Sequence, residues 1–242
     1  MSRHSLNDVK DMIVELGIAE GDQVLLHADL RIFFKLVGRV EEIIDVLREV
    51  VGNRGVLVTP SFTFSFPGQF DVRKSVSHVG GMTTLFSRQP NVKRVPDGMT
   101  SYYLLGSTAD KYIDRWDHSS YGESSIVGQL LAAGGKVLQF GTDILSPIHY
   151  VEQLVGVPYR ELKRFEGVIS EGEKTSPSYT DFYCRNREIK KLIPDPIRAA
   201  YYSNLSSAAF FNKRPCRAFS LFDFVEFARP RLAENPLILI ER

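Results

Sequence analysis

Three times in this chain a segment of helical periodicity ends at glycine and is followed within a few residues by a short apolar run. That alternation constrains the fold more than any other feature. Over residues 5–16 the apolar positions Leu6, Val9, Met12, Ile13 and Leu16 recur at helical spacing and stop at Gly17. Residues 23–28 then read as a buried strand after a Gly21-Asp22 turn. The pattern repeats with a helix over 40–51, closed by Gly52, and a strand over 55–60. It repeats again with a helix over 125–133, closed by Gly134-Gly135, and a strand over 136–140. Helices alternating with apolar strands predict a layered α/β/α fold around a central, mostly parallel (mixed) sheet.

The intervening chain is less regular. Residues 61–74 are rich in Ser, Phe and Gly and too apolar for a flexible linker, so they should fold down over core or ligand. Residues 158–191 read as polar and irregular, with an exposed loop around Glu171-Gly-Glu-Lys. Residues 219–232 predict a helix, and 237–240 a last strand or apolar tail. With 242 residues, no internal repeat and no low-complexity segment, a single domain over 1–242 is expected. Its motifs lie within 5–160, and 161–242 forms a basic C-terminal part.

Composition narrows the function classes. A net charge of +1 supplies no global field for nucleic acid, and no apolar run has membrane-spanning length. The N-terminus lacks the apolar stretch of a signal peptide. Two cysteines, Cys184 and Cys216, form neither a disulfide framework nor a zinc cluster, so no metal and a cytoplasmic location are expected. Charge is nevertheless uneven. Arg185, Arg187, Lys190, Lys191, Arg198, Lys213, Arg214 and Arg217 outnumber nearby acids, forming a solvated face or a receptor for phosphates.

The sequence contains no Walker A loop, Rossmann glycine fingerprint, Gly-x-Ser-x-Gly elbow or paired-His metal motif. The most informative residues are His149 and Glu152. The strand over 136–140 ends at Gly141, a turn carries Asp143 and Ser146, and a helix should begin near Pro147 with Ser146 as its cap. Three residues apart on one helix face, imidazole and carboxylate can meet. At the carboxyl edge of an α/β sheet, that pair is a general-base unit or simply a surface His–Glu pair. His27 and Thr59 end the first two strands at the same edge. Residues 31–38 form a basic, aromatic, Gly-containing loop before a helix, a natural anion site with Arg31, Lys35 and Gly38 at hand. Arg94, Asp97 and Ser101 lie in one segment, and His118 precedes another helix.

The order and wording of these pieces resemble the aminoglycoside 3-N-acetyltransferase family. His27-Ala-Asp-Leu30 is similar to its His-Ser-Ser-Leu, and Thr59-Pro-Ser-Phe-Thr63 to its Pro-Thr-Phe-Ser. Phe70-Asp71, Gly80-Gly-Met82 and Phe86-Ser-Arg88 follow in the family's order. Arg94 to Ser101 resembles Arg-Ser-x-His-Pro-x-x-Ser, with Asp97 where the family commonly has His. His118 with Gly122-Glu-Ser-Ser-Ile126, the turn leading to His149-Tyr-Val-Glu152, and Val157-Pro-Tyr-Arg160 complete the series.

The resemblance implies the antibiotic N-acetyltransferase fold and transfer of an acyl group, most simply acetyl, from coenzyme A to a primary amine. It implies His149 as base, Glu152 as its partner and Asp97 as a carboxylate for the substrate ammonium. Coenzyme A is expected along Arg31, Lys35 and Gly38, with Ser101 as a further contact. The small-molecule amine is expected near His27, Thr59, Asp71, His118 and Asp143. The basic C-terminal part suits a nucleotide-linked amino sugar better than a polycationic aminoglycoside. The alternatives are an aminoglycoside 3-N-acetyltransferase proper and a non-catalytic relative that binds coenzyme A or sugar. A homodimer is also compatible with the sequence.

Overall fold

The computed structural model describes residues 3–186, 195–205 and 208–240. Helix α1 (Leu6–Glu15) is held at its start by a capping box between Ser5 and Asp8. It leads into β1 (Gln23–Ala28), and α2 (Glu42–Val51) leads into β2 (Val56–Pro60). After β3 (Gln69–Asp71), α3 (Gly81–Ser87), β4 (Lys93–Arg94), β5 (Tyr102–Leu105) and α4 (Ala109–Arg115), α5 (Ile126–Ala132) precedes β6 (Lys136–Phe140). Then come α6 (Ile148–Val155), β7 (Arg160–Glu171), β8 (Lys174–Arg185), α7 (Pro196–Ser203), β9 (Ala208–Phe211), β10 (Arg214–Ser220) and α8 (Leu221–Glu234).

Seven strands form the main sheet in the order β4-β5-β2-β1-β6-β10-β9. Parallel pairing is confined to the central β2, β1 and β6, while β5 and β10 pair with them antiparallel. The sheet is therefore mixed, with its parallel character confined to the middle. Side chains alternate across it as a pleat requires. Leu25 and Val137 pack on one face with residues of α5, α6 and α8, and Val24, Leu26 and Leu138 pack on the other with residues of α1 and α2. These two apolar layers make the α/β/α sandwich.

The polar stretch after α6 differs from the sequence expectation. It forms a regular antiparallel hairpin, β7 with β8, that turns at Gly172-Glu173 and takes β3 as a parallel neighbour. Its composition hid it. β8 is an edge strand, where Pro177 is tolerated because no ladder hydrogen bond need be donated outward. Half of the hairpin's strand residues are exposed and few are buried, so no clear apolar alternation marks it. Helix α7 and strands β9 and β10 also lie where no element was foreseen, and residues 237–239 are turn rather than strand.

Two devices tie the hairpin to the main sheet. Phe66, Phe70 and Met99 form a small apolar cluster against Phe165, Ile169 and Phe182. Beside it, the Asp97 carboxylate accepts hydrogen bonds from Met99 N (2.7 Å), Thr100 Oγ1 (2.9 Å) and Thr180 Oγ1 (2.8 Å). Burial pushes the Asp97 carboxyl upward, against those three donors, which favour its ionised form. Replacing Asp97 by Ala strands a backbone N–H and two hydroxyls in the interior. The expected cost is roughly 2–4 kcal/mol, read as a lower urea midpoint, with Asp97→Asn losing less.

Candidate active site

The carboxyl ends of β1 and β2 and the turn after β6 enclose a cavity of about 110 Å³. His27, Thr59, Phe62, Gly80, Thr83 and Ser146 are among its walls. The Thr59 hydroxyl is spent on Leu26 O at 3.3 Å, which leaves its methyl group as lining. His27 Nε2 lies 3.2 Å from Ser146 Oγ. The expected Ser146 cap is not made. Pro147 occupies the N-cap of α6 with no side-chain capping bond, and the serine hydroxyl turns to His27 instead.

At the second residue of α6, His149 Nδ1 meets Glu152 Oε2 at 2.6 Å. The imidazole is 27% exposed and the carboxylate fully buried. So short a contact to an ionised carboxylate places the proton on Nδ1, which leaves the Nε2 lone pair uncommitted. Glu152 also accepts from Tyr159 Oη at 2.7 Å and has Arg160 Nε at 2.9 Å, although that N–H is not aimed at the oxygen. Burial opposes ionisation of Glu152, but the His149 hydrogen bond, the Arg160 charge and the Tyr159 hydroxyl together hold its carboxyl below the ordinary value. A helix end at Gly156, in the left-handed region at φ 72°, lets the chain reverse so that residues 159 and 160 return to the pair.

Aromatic rings connect the two places. Tyr121 lies 5.1 Å from the His149 ring and 5.7 Å from Phe182. Phe64 is 6.1 Å from Phe182 and 6.1 Å from Phe62, which lines the cavity. This wall of edges and faces gives the cavity and the His–Glu pair a shared apolar border.

The remaining expected residues are dispersed. Asp97 is 1% exposed, with its carboxylate committed to internal donors, so no surface is left to receive a substrate ammonium. Ser101 is likewise sealed and donates to Val95 O at 2.7 Å. Residues 30–33 form a 3-10 turn rather than an open loop. There Arg31 is clamped by Asp29 at 2.6 Å, and Lys35 lies over the Phe34 ring. Gly38, at φ 128°, faces Glu42, whose carboxylate accepts from Arg39 N at 2.6 Å. The anion-binding role foreseen at this helix start is thus partly met by the protein's own carboxylate. Asp71 caps a turn through the N–H groups of Arg73 and Lys74, both at 2.9 Å. His118 has a left-handed backbone (φ 66°), lies between Trp116 and Tyr179, and donates from Nδ1 to Tyr179 O at 3.0 Å. Asp143 pairs with Arg217 at 2.9 Å. Sequence reasoning missed Tyr159 and Arg160 as partners of Glu152. Their one signal was the run Val157-Pro-Tyr-Arg160.

Burial sets the charge state of the cavity wall. Desolvation lowers the His27 pKa from its ordinary 6.5 to about 4. Between those values the unfolded chain binds a proton that the native state refuses. Stability from this group is therefore complete above pH 6.5 and is lost as pH falls towards 4, by about 3 kcal/mol. Urea midpoints across that window should fall less steeply for His27→Gln than for the unaltered protein. Parallel profiles would show that His27 is hydrated and charged in the native state.

Comparison with known proteins places this geometry. A family model described as aminoglycoside 3-N-acetyltransferase matches residues 25–233. Aminoglycoside N(3)-acetyltransferase VII of Streptomyces paromomycinus is 25% identical over 215 residues, covering 77% of this chain and 74% of its own. The SPbeta prophage-derived aminoglycoside N(3')-acetyltransferase-like protein YokD of Bacillus subtilis (strain 168) is 24% identical over 246 residues, covering 91% and 89%. Among solved structures, AAC-IIIb in a binary complex with CoASH superposes with a TM-score of 0.83 at 21% identity, covering 96% of this chain and 97% of that one. The chain belongs to the aminoglycoside 3-N-acetyltransferase family and is an acetyltransferase.

Proposed function

We propose that the chain acts as a single cytoplasmic domain that acetylates a primary amine of an aminoglycoside by direct transfer from acetyl-CoA, with His149 as general base. The observation that carries this reading is the short contact between His149 Nδ1 and the buried Glu152, which leaves Nε2 free. An amine is largely protonated at neutral pH and must lose a proton to attack a thioester. His149 Nε2 accepts that proton as the nitrogen adds to the thioester carbonyl. The tetrahedral intermediate, whose nitrogen still carries two protons, then collapses to an amide as one of them passes to the departing coenzyme A thiolate, and the proton on His149 returns to solvent. The cavity beside His27 and Thr59, with Phe62 at its border, suits the thioester end of the donor.

The acceptor follows from charge. The Arg and Lys content of the C-terminal part favours a nucleotide-linked amino sugar. Among the described residues, three of those cations are engaged in the folded chain. Arg214 pairs with Asp29 and Arg217 with Asp143, both within 3 Å, and Arg198 donates to Asp143 O at 2.6 Å. Arg187, Lys190 and Lys191 lie outside the described residues. With the phosphate-receiving face reduced in this way, the family's own acceptor class is the better reading.

Release of coenzyme A thiol should depend on an added amine and run faster with kanamycin-like aminoglycosides than with nucleotide-linked amino sugars. His149→Ala should keep its fold and lose at least about a hundredfold in turnover. Near-normal turnover in that variant removes His149 from the chemistry. Thiol release without amine makes the protein a hydrolase.

A further inference from the structure

Arg160 is the first residue of β7 and belongs to the hairpin, yet its side chain reaches α6 and is only 6% exposed. It makes three approaches, two of them to that helix. Nε lies 2.9 Å from Glu152 Oε2, Nη2 lies 3.1 Å from His149 Nδ1, and Nη1 donates to Tyr183 O at 3.1 Å. The first two put a fixed positive charge against both members of the His–Glu pair.

His149 Nδ1 cannot serve both neighbours. If it carries a proton, it donates to Glu152. If it is bare, it accepts from Arg160, and the proton sits on Nε2, where it disables the base. The 2.6 Å separation from an ionised carboxylate selects the first state. Arg160 therefore supports the working tautomer indirectly, by keeping the buried Glu152 ionised. Its charge also opposes the imidazolium that forms when Nε2 takes a proton. The groups facing His149 are Glu152 on its own helix, Arg160 from β7 and the Tyr121 ring from the segment before α5, with Tyr159 bearing on it through Glu152.

We propose that Arg160 is a positioning residue for the acetyl transfer. It acts through Glu152 to hold His149 in the Nδ1–H tautomer, and it restrains uptake of a proton from bulk water before the amine arrives. This rests on His149 being the base, so the test has one arm that needs no catalysis. In ¹⁵N spectra of the ring nitrogens, with the signal assigned by His149→Gln, the neutral unaltered protein should show Nδ1 protonated and Nε2 bare. The reverse tautomer overturns the proposal whether or not transfer is observed.

The second arm is the acid limb of the kcat/KM profile. In Arg160→Gln the positive charge that opposes uptake of a proton by the His149–Glu152 pair is lost, so the limb should move to higher pH. Arg160→Lys, which keeps the charge, should leave the limb near its original position. A uniform loss at all pH values in Arg160→Gln, with the limb unmoved, makes Arg160 structural only and overturns the proposal. Should Arg160→Gln fail to fold, the reverse tautomer in the unaltered protein or a displaced limb in Arg160→Lys still overturns the proposal.

Discussion

A carboxylate with no access to water, Glu152, is the constraint on which the site depends. It is fully buried, and leaving such a charge unpaired in a protein interior costs about 3–5 kcal/mol. Its partners come from three positions in the chain: the His149 imidazole one turn back, the Tyr159 hydroxyl beyond the helix end, and the Arg160 guanidinium at the start of the hairpin. Solvating this one group therefore fixes the histidine's orientation, the path of the chain after Gly156 and the docking of β7. Stability and chemistry share the same contacts here.

The scaffold divides the work between two sheets. The parallel middle of the main sheet brings the ends of β1 and β2 and the turn after β6 to one edge, where the cavity lies. The hairpin sheet contributes Arg160, and Phe182 extends the aromatic wall between Tyr121 and Phe64. Asp97, expected in the chemistry, joins the sheets by accepting from Thr180 of β8. Its burial shows how a carboxylate in a motif-bearing segment can serve architecture. Where the family commonly has histidine, this chain holds a fully committed structural acid.

Most of what rested on local spacing was legible in the sequence, the Ser146 cap being an exception. The helices ending near Gly17, Gly52 and Gly134 and the strands over 23–28 and 136–140 are set by apolar periodicity and local breakers, so they stand where read. The His149–Glu152 contact was legible for the same reason, since three residues on a helix place both groups on one face. What failed was long-range. Residues 160–185 are a solvent-facing, two-stranded ribbon whose pairing is set by the partner strand rather than by apolar alternation. The burial of Asp97 depends on Thr180, far away in sequence. Arg160 looked like one member of a familiar run, and only the folded chain shows it beside the imidazole.

The basic C-terminal part shows the same limit in electrostatic form. Counting Arg and Lys along a segment measures charge per length of chain, whereas a ligand meets charge per area of surface after ion pairs have formed. Asp29 lies next to the first strand in sequence, yet it holds both Arg31 and Arg214 and stays ionised well below the usual carboxylate range through those donors. Asp143 draws in Arg217 and Arg198 from the far end of the chain. The Arg214 and Arg217 pairings remove two cations from the count that favours a phosphate-bearing acceptor. An acceptor inferred from segment charge is therefore only as sound as the assumption that those charges remain unpaired, and the folded chain does not satisfy it.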